Sequence, residues 1–490
     1  MASHPAPDGD PTAAEQDRPP DARREAHLLY SIAAFAVVAG AALRLAAARG
    51  DLWLDEIWSL LLTHDADGPL GVFTRLHHDN NHHLNTLWMM LLGPSHSPLA
   101  YRALSVAAAT GALAWLAARP LRRGPVDSAA TGILLAFSYV LVHYGSEARG
   151  YSLAIFFAVA AYQALDLYLA RGEARWAVLF AAAGVLGVSS HLTFAFPLAG
   201  LLAWAAADLY SGGGSVRTRL ARAAPLAVPP VALAILWAVD LHRLVIGGGP
   251  EYDVTAVLRE LARATHGVPP GPAELLLLMT LGAVVWEMAA LVRARDPRAL
   301  FFAVAFLAPA GVLAWRRPDF LAPRYFVVLV PFALLLAGSA LARLARAGRG
   351  GGLAAAAALA AFVATNAPAL LRLVEVGRGQ YAAAIEVMLA ASSGAAVSVG
   401  SDHDWRNLVV LQYHAQRVAG GERIVYFPKR RWWPEGPEWY VEHDFSDRPP
   451  VKPVVTGPNG RTYERIAAFR YAGLSGWSWT LYRLASPPGR

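Results

Sequence analysis

Long apolar stretches, each of about twenty residues, dominate this sequence. A helix needs about 20 apolar residues to cross the roughly 30 Å hydrocarbon core of a bilayer, so each stretch predicts one crossing. The stretches lie at residues 27–48, 99–118, 126–144, 150–170, 175–190, 192–210, 224–241, 271–292, 298–315, 321–343 and 352–372. We therefore predict an all-α polytopic membrane protein with about eleven transmembrane helices.

The composition agrees with a membrane protein. Of the 490 residues, 56% are hydrophobic and only 16% are charged, which is more apolar than an ordinary soluble domain. The net charge of +7 comes mostly from arginines between the apolar stretches, so we assign it to the membrane surface and predict no nucleic-acid partner. The absence of cysteine excludes disulfides, thiolate metal sites and cysteine nucleophiles.

The distribution of arginine predicts how the chain is oriented. Loops rich in Arg and Lys favour the cytoplasmic side of a membrane. Arginine is present in each of five alternate connections, at residues 118–125, 170–176, 211–224, 292–299 and 342–352. We therefore predict a multi-pass protein of the inner (plasma) membrane with a disordered cytoplasmic tail over residues 1–25. The other connections, and everything after about residue 373, would face the outside.

Three parts of the chain follow from this topology. Residues 26–373 form the predicted transmembrane domain, which includes a first outer loop over 49–98. In that loop, residues 84–92 are too short to cross and predict a helix along the membrane interface. Residues 374–490 predict an extracytoplasmic α/β domain, since short strand patterns alternate with helical ones. Its strands are expected at residues 395–401, 423–428, 461–471 and 477–484, and its helices at 380–391 and 404–418.

An acidic pair, Asp55-Glu56, stands in the first outer loop among Trp53, Leu54 and Ile57. Apolar neighbours draw the backbone toward the interface and raise the cost of an unpaired charge. Carboxylates in such a place indicate a functional site. The other outer segments add His, Asn, Glu, Arg and Tyr, whereas the inner loops carry mainly arginine, so the sequence predicts that the site lies outside.

Five short motifs reinforce this prediction. They are Asp55-Glu56, Asn81-His82-His83-Leu84, Tyr101-Arg102-Ala103-Leu104-Ser105, Glu147-Ala148-Arg149-Gly150-Tyr151, and Pro323-Arg324-Tyr325-Phe326 with Pro331 downstream. In their order and predicted membrane side, they resemble motifs of the GT-C superfamily of membrane glycosyltransferases, in the branch of the protein O-mannosyltransferases and lipid A aminoarabinose transferases. The resemblance covers roughly residues 27–345.

The resemblance implies an inverting glycosyltransferase, transferring a hexose or a pentose. Its donor would be a polyprenyl-phosphate-linked sugar, and its acceptor an envelope glycan, lipid or protein at the outer face of the membrane. Asp55 and Glu56 are the implied catalytic residues, and Arg149, Arg324 and Tyr325 the implied phosphate-binding residues. Guanidinium groups suit that role because they match phosphate oxygens and keep their charge near lipid. The implied substrate-binding residues are His78, Asp79, Asn81, His82, Glu147, Tyr151 and His191.

Two positions depart from the family pattern. His83 stands where the family usually has Pro, and His191 stands where some relatives have a Lys. Arg102, near the start of its span, is interpreted as a residue that anchors the helix at the headgroups.

Other interpretations stay open at this stage. The family chemistry requires no cofactor, and we assign no metal ligands. The histidines between His77 and His83 nevertheless have spacings that would allow a divalent zinc or manganese ion if they were helical. A transporter or flippase is the main alternative function, because membrane-level charges also serve solute movement. A non-catalytic receptor is a third.

Overall fold

The computed structural model describes residues 20–121, 124–211, 215–247, 253–268, 272–316, 321–446, 450 and 452–485. Residues 1–19 of the predicted tail lie outside this set, and residues 20–25 begin the first helix. The α-helices are α1 (Pro20–Ala47), α2 (Leu54–Asp65), α3 (Gly71–Thr74), α4 (His83–Leu92), α5 (Pro98–Ala118), α6 (Pro125–Phe137), α7 (Tyr139–Gly145), α8 (Tyr151–Arg171), α9 (Ala174–Ser190), α10 (Ala195–Ser211), α11 (Val216–Ala223), α12 (Val228–Val239), α13 (Val254–His266), α14 (Pro272–Arg293), α15 (Arg298–Arg316), α16 (Val330–Ala345), α17 (Arg349–Val376), α18 (Tyr381–Ala391) and α19 (Asp404–Ala415). Short 3-10 helices occur at Leu192–Phe194, Ala224–Ala227, Leu241–Arg243, Pro323–Leu329, Gly421–Arg423 and Lys429–Arg431.

The predicted spans coincide with helices in the part of the chain that the structure describes. Nine helical segments there are long and apolar enough to cross a membrane, and a bent pair, α6 and α7, brings the number to ten. The one predicted span that remains, over residues 175–190, corresponds to α9, which is helical but has only 17 residues. The predicted interfacial helix, α4, has ten residues and is not among the segments long enough to cross.

The span predicted over residues 126–144 is not one straight helix. It bends by 63° between α6 and α7, where Ser138 has an extended backbone. The amide of Tyr139 donates to Asn366 Oδ1 at 2.8 Å, and Ser138 Oγ donates to the carbonyl of Thr265 at 3.2 Å. A break in a membrane helix requires such partners, because its freed backbone groups have no water to bond.

The C-terminal part is a mixed six-stranded sheet with α18 and α19. Its strands are β1 (Val397–Ser401), β2 (Ile424–Tyr426), β3 (Trp439–Asp444), β4 (Val454–Thr456), β5 (Thr462–Phe469) and β6 (Ser478–Leu484). The strand order is β2-β1-β3-β6-β5-β4. Strand β1 pairs in parallel with β2 and β3, and the remaining pairs are antiparallel. The predicted α/β character of this part and its four predicted strands are confirmed, while β3 and β4 were missed.

The sheet part packs on the segment between α1 and α5 (residues 48–97). This segment corresponds to the predicted first outer loop (49–98) and is called the first loop below. Leu52, Trp53 and Ile57 of the first loop share one buried apolar cluster with residues of the C-terminal part such as Tyr381 and Trp477. The carbonyl of Leu52 also lies 2.9 Å from the Nε2 atom of His414 in α19. The first loop and the C-terminal part therefore lie at the same end of the helical bundle.

Candidate active site

Helix α2 begins with two adjacent carboxylates in different environments. Asp55 and Glu56 both lie in its first turn. Successive residues of a helix point about 100° apart, so neighbours on the chain face different surroundings. Asp55 retains some solvent exposure, whereas Glu56 is completely buried.

Glu56 is held in a buried ion pair with Arg102. Arg102 Nη2 donates to Glu56 Oε2 at 2.6 Å, and Nε donates to Oε1 at 2.7 Å. The amides of Trp53 and Ala148 donate to the same carboxylate at 3.2 and 2.8 Å. Burial acts to raise the pKa of Glu56, but the Arg102 guanidinium brings it below its ordinary value. Glu56 thus joins the first loop, α5 and the α7–α8 connection.

Arg102 does not reach out to headgroups, so the anchor interpretation was wrong. Its side chain has no solvent exposure. Besides Glu56, it donates to the carbonyls of Ala48, Gly50 and Asp51 at 3.1, 3.1 and 2.8 Å. It therefore fixes the path of the chain where the first loop leaves α1.

Asp55 lies close to both of the predicted phosphate-binding arginines. Its Oδ2 atom lies 3.5 Å from Arg149 Nη1 and 3.9 Å from Arg324 Nη1. The Asp55 side chain is 15% exposed and that of Arg324 is 23% exposed, so a ligand has access to this point. The fold thus brings together three predicted residues that are far apart in the sequence.

Asn80 is a site residue that no sequence motif indicated. Its Oδ1 atom accepts a hydrogen bond from Arg149 Nη1. Its Nδ2 atom donates at 2.9 Å both to the carbonyl of Asp55 and to Ser59 Oγ. Asn80 therefore orients Arg149 relative to Asp55. An Asn beside a string of histidines carries no sequence signal for such a contact.

The 3-10 helix Pro323–Leu329 carries Arg324 and Tyr325. The Arg324 Cζ atom lies 5.8 Å from the centroid of the Tyr325 ring. Similarly, Arg149 Cζ lies 5.9 Å from the centroid of the Tyr151 ring. Each guanidinium group therefore lies close enough to a tyrosine ring for a cation–π contact, which extends to about 6 Å from the ring centroid.

His82, His191 and Tyr151 form a buried aromatic group beside Arg149. The ring centroids of His82 and His191 lie 4.6 Å apart, and that of Tyr151 lies 5.4 and 4.6 Å from them. Burial and the nearby arginines lower the pKa of His82 well below its ordinary value and that of His191 to about 3. Both imidazoles are therefore uncharged at neutral pH.

Glu147 faces the C-terminal part rather than the ligand-accessible point. It is fully buried, accepts from Trp53 Nε1 at 2.6 Å, and accepts from Ser475 Oγ at 3.3 Å. Burial raises the pKa of Glu147, an effect that the neighbouring Glu56 carboxylate strengthens. These contacts indicate that Glu147 positions the surrounding elements.

The remaining predicted substrate residues divide into two kinds. Asn81 is used within the first loop, where its Nδ2 atom donates to the carbonyls of Val72 and Leu76 at 2.8 and 2.9 Å. His78 and Asp79 lie at the rim, with 2.9 Å between His78 Nδ1 and Asp79 Oδ1. Burial acts to raise the pKa of Asp79, but the His78 contact brings it below its ordinary value.

The histidine string is divided between different partners. His77 Nδ1 and His83 Nε2 each lie 2.7 Å from a different oxygen of the buried Asp240 carboxylate. His82 instead belongs to the aromatic group beside Arg149. Among the described residues, no group of three or more His, Asp or Glu side chains is arranged to hold a metal ion. Asp240 follows α12, some 160 positions after these histidines, so the sequence gave no reason to pair them.

At the ligand-accessible point, one carboxylate therefore faces two guanidinium groups. Such a point favours an anionic ligand, since two positive charges meet a single negative one. Guanidinium groups bind phosphate well, and a carboxylate beside them is able to accept a proton.

The chain is similar to known proteins in fold rather than in sequence. No family model and no curated protein sequence matches the chain. Among solved structures, ArnT from Cupriavidus metallidurans in the apo state matches with a TM-score of 0.51 at 14% identity, over 84% of this chain and 92% of that one. ArnT bound to undecaprenyl phosphate matches with a TM-score of 0.52 at 14% identity, over 93% of this chain and 98% of that one. The chain has a GT-C-type fold.

This finding confirms the predicted fold class. A weaker match is the archaeal oligosaccharyltransferase AglB from Archaeoglobus fulgidus, with a TM-score of 0.47 at 11% identity over 85% of this chain and 69% of that one. In this chain, the helical part of the fold comes first and the smaller sheet part follows it. Function is a separate question, because one fold serves different chemistries.

Proposed function

We propose that this protein is an inverting glycosyltransferase that uses a polyprenyl-phosphate-linked sugar as donor. The observation that carries the proposal is the ligand-accessible contact of the Asp55 carboxylate with Arg149 and Arg324. The fold supports a lipid phosphate as ligand, because the solved ArnT structure of the same fold holds undecaprenyl phosphate.

Arg149 and Arg324 bind the donor phosphate. Their guanidinium groups approach Asp55 from the α7–α8 connection and from the 3-10 helix before α16. A phosphate placed between them gains charge-assisted hydrogen bonds and replaces Asp55 as their partner. Tyr325, whose ring lies beside Arg324, borders the same position. The apolar faces of the helices accommodate the isoprenoid chain.

Asp55 is the general base. The acceptor hydroxyl attacks the anomeric carbon from the side opposite the phosphate, the new glycosidic bond forms, and the bond from that carbon to the phosphate oxygen breaks. The hydroxyl proton passes to Asp55, and the negative charge that develops on the leaving phosphate is stabilised by the two arginines. The sugar is thereby transferred with inversion. The mechanism requires no cofactor.

Glu56 and Glu147 position the reacting groups. Glu56 is fully occupied by Arg102 and by two backbone amides, and Glu147 joins Trp53 to Ser475. Both hold the start of α2 against the rest of the site. The acceptor, an envelope glycan, lipid or protein, enters past His78 and Asp79 at the rim. The reaction takes place at the outer face of the inner membrane, with the N-terminus in the cytoplasm.

A transfer assay tests this proposal. Purified protein in detergent is given a panel of radiolabelled polyprenyl-phosphate sugars and extracted envelope lipids and polymers. We expect transfer from one donor by the wild type, and a loss of at least 100-fold in Asp55→Asn and in Arg324→Ala, since each removes a group acting on the transition state. Asp65→Asn, on the exposed side of the same helix, is the matched control and should transfer normally. EDTA should leave the rate unchanged.

Two results would contradict the proposal. Transfer by Asp55→Asn at the wild-type rate would remove Asp55 from the chemistry. Failure of the wild type to transfer from any donor, combined with movement of the lipid-linked sugar across vesicle membranes, would favour the transporter alternative.

A further inference from the structure

Two backbone amides fix the tautomers of His82 and His191. The amide of Gly150 donates to His82 Nδ1 at 3.0 Å, and the amide of Thr193 donates to His191 Nδ1 at 3.2 Å. A neutral imidazole has one donor and one acceptor nitrogen. Since Nδ1 is the acceptor in both rings, Nε2 carries the proton in both.

The Nε2 atom of His82 is buried and has no hydrogen-bond partner among the described residues. The residue as a whole is 4% exposed. Buried donors in folded proteins are normally satisfied, and one that is not calls for a partner such as a ligand. The Nδ1 contact accounts for the ring's orientation, but no acceptor for this Nε2–H group lies in the part of the chain that the structure describes.

The group lies where the donor phosphate is proposed to bind. His82 and His191 both contact the ring of Tyr151, over which the Arg149 guanidinium also lies. The charged and titratable groups that act on His82 are Arg149, Arg324, His191 and His83, and those that act on His191 are Arg149, Arg324 and Asp79. The arginines outweigh the single carboxylate and disfavour protonation of either ring.

Resting on the proposed function, we infer that His82 and His191 bind an oxygen of the donor phosphate as uncharged hydrogen-bond donors, each through Nε2–H. The two imidazoles thus add donors to the arginine pair without adding charge. The donor is a phosphodiester, which has a single negative charge. Together with the Asp55 carboxylate, that charge balances the two positive charges of Arg149 and Arg324. Further cations would hold the product phosphate too tightly for release.

Asparagine is the informative substitution. Its side-chain oxygen is able to accept the amide hydrogen bond that Nδ1 accepts, but it has no atom at the position of Nε2. Binding of undecaprenyl phosphate to detergent-solubilised full-length protein is measured for the wild type, His82→Asn and His191→Asn. We expect each variant to bind about tenfold more weakly, the loss expected for one hydrogen bond to a charged acceptor. His64→Asn, an exposed residue of α2, should bind as the wild type does.

The pH dependence separates this role from that of a cationic clamp. Titration of the lipid phosphate affects all proteins alike, so the ratio of wild-type to variant affinity is the quantity to compare. An uncharged donor gives the same ratio at pH 8 and pH 6. His82→Gln, whose longer amide reaches toward the Nε2 position, should recover part of the affinity.

Each failure has its own signature. Wild type that does not bind undecaprenyl phosphate would contradict the proposed function itself. If the wild type binds and both His82→Asn and His191→Asn bind with the same affinity as the wild type, the inference is overturned and the two rings serve only in packing. A ratio that grows severalfold toward pH 6 would overturn it in favour of charged imidazolium.

Discussion

At the scale of single residues, the neighbours Asp55 and Glu56 have opposite roles. Asp55 faces two guanidinium groups at an accessible point, while Glu56 is sealed into an ion pair with Arg102. A buried pair is costly to break by removing one partner, because the other charge remains buried and unpaired. Removing Glu56 should therefore affect stability first, and removing Asp55 should affect activity first.

Glu56→Ala should lower the free energy of unfolding by about 3–5 kcal/mol, the range found when one partner of a buried ion pair is removed. Asp55→Asn should change it by less than about 1 kcal/mol, since the Asp55 carboxylate and Arg324 are partly exposed. The buried Arg149 keeps its hydrogen bonds to Asn80 Oδ1 and to the carbonyl of residue 55. Unfolding of the detergent-solubilised variants, followed by tryptophan fluorescence, measures both. Equal destabilisation by the two substitutions would contradict this division of roles.

The two buried neutral histidines predict a dependence of stability on pH. The folded-state pKa of His82 lies well below its ordinary value and that of His191 is about 3, whereas unfolded histidine has a pKa near 6.5. Below that pH the unfolded state takes up protons that the folded state does not. Stability should therefore fall as pH falls from about 6.5 toward 5, by up to about 1.4 kcal/mol per pH unit for each histidine.

The double variant His82→Asn with His191→Asn isolates this effect. Its unfolding free energy, measured from pH 8 to pH 5, should decline less steeply than that of the wild type. Parallel curves for the two proteins would show that these histidines take up protons in the folded state.

Residue chemistry was only partly predictable from the sequence. An acidic pair among apolar residues was recognisable, and so were the arginines that meet Asp55. The sequence did not distinguish the exposed carboxylate from the buried one, because that depends on where Arg102 lies. The roles of Asn80 and Asp240 were missed since their partners are distant in the chain and neither has a periodic or motif signal.

At the scale of elements, the connection between α7 and α8 determines the geometry of the site. A Cβ atom at Gly150 would lie 2.1 Å from the carbonyl oxygen of Ser190 and 2.9 Å from His82 Cβ. The absence of a side chain thus lets α8, α9 and the first loop approach closely. Glycine is required here by space rather than by an unusual backbone angle.

Gly150→Ala should displace His82 and the end of α9, lowering the unfolding free energy by about 1–3 kcal/mol, as overpacking does, and weakening undecaprenyl phosphate binding. Gly282→Ala is the matched control, because a Cβ atom there meets none of the described residues within 4 Å. Thermal unfolding and lipid binding of both variants provide the measurement. A Gly150→Ala protein as stable and as competent as the control would contradict the close packing.

Elements were predictable where length and apolarity determine them. The spans were located because about twenty apolar residues in a row have few alternatives. The bend at Ser138 was missed because it depends on Asn366 of a distant helix. Strand β3 was missed because Glu442, His443 and Asp444 end it with polar residues. Strand β4 was missed because its three residues lie between Pro453 and Gly457-Pro458, which are typical of a turn.

At the scale of the whole molecule, the C-terminal part completes the core of the first loop. Leu52 and Trp53 are buried by residues of the sheet part, and Glu147 joins Trp53 to Ser475. The site and the sheet part therefore occupy one end of the bundle. The arginine distribution predicts that this end faces the outside.

Because the chain has no cysteine, single cysteines report its orientation directly. Leu70→Cys lies in the first loop at a residue that is 74% exposed. Arg175→Cys lies in the α9 region at a side chain that is 66% exposed, in a connection predicted to face the cytoplasm. In intact spheroplasts, a membrane-impermeant maleimide should label Leu70→Cys, and should label Arg175→Cys only after permeabilisation. The reverse pattern would place the site in the cytoplasm.

In the proposed complex, a lipid phosphate takes the place of Asp55 between Arg149 and Arg324. The most direct measurement is the affinity for undecaprenyl phosphate of Arg149→Ala, Arg324→Ala and Asp55→Asn, beside the wild type. We expect each arginine variant to bind at least tenfold more weakly, and Asp55→Asn to bind at least as tightly as the wild type because a competing carboxylate is gone. Wild-type affinity in both arginine variants, or a loss in Asp55→Asn as large as theirs, would contradict it.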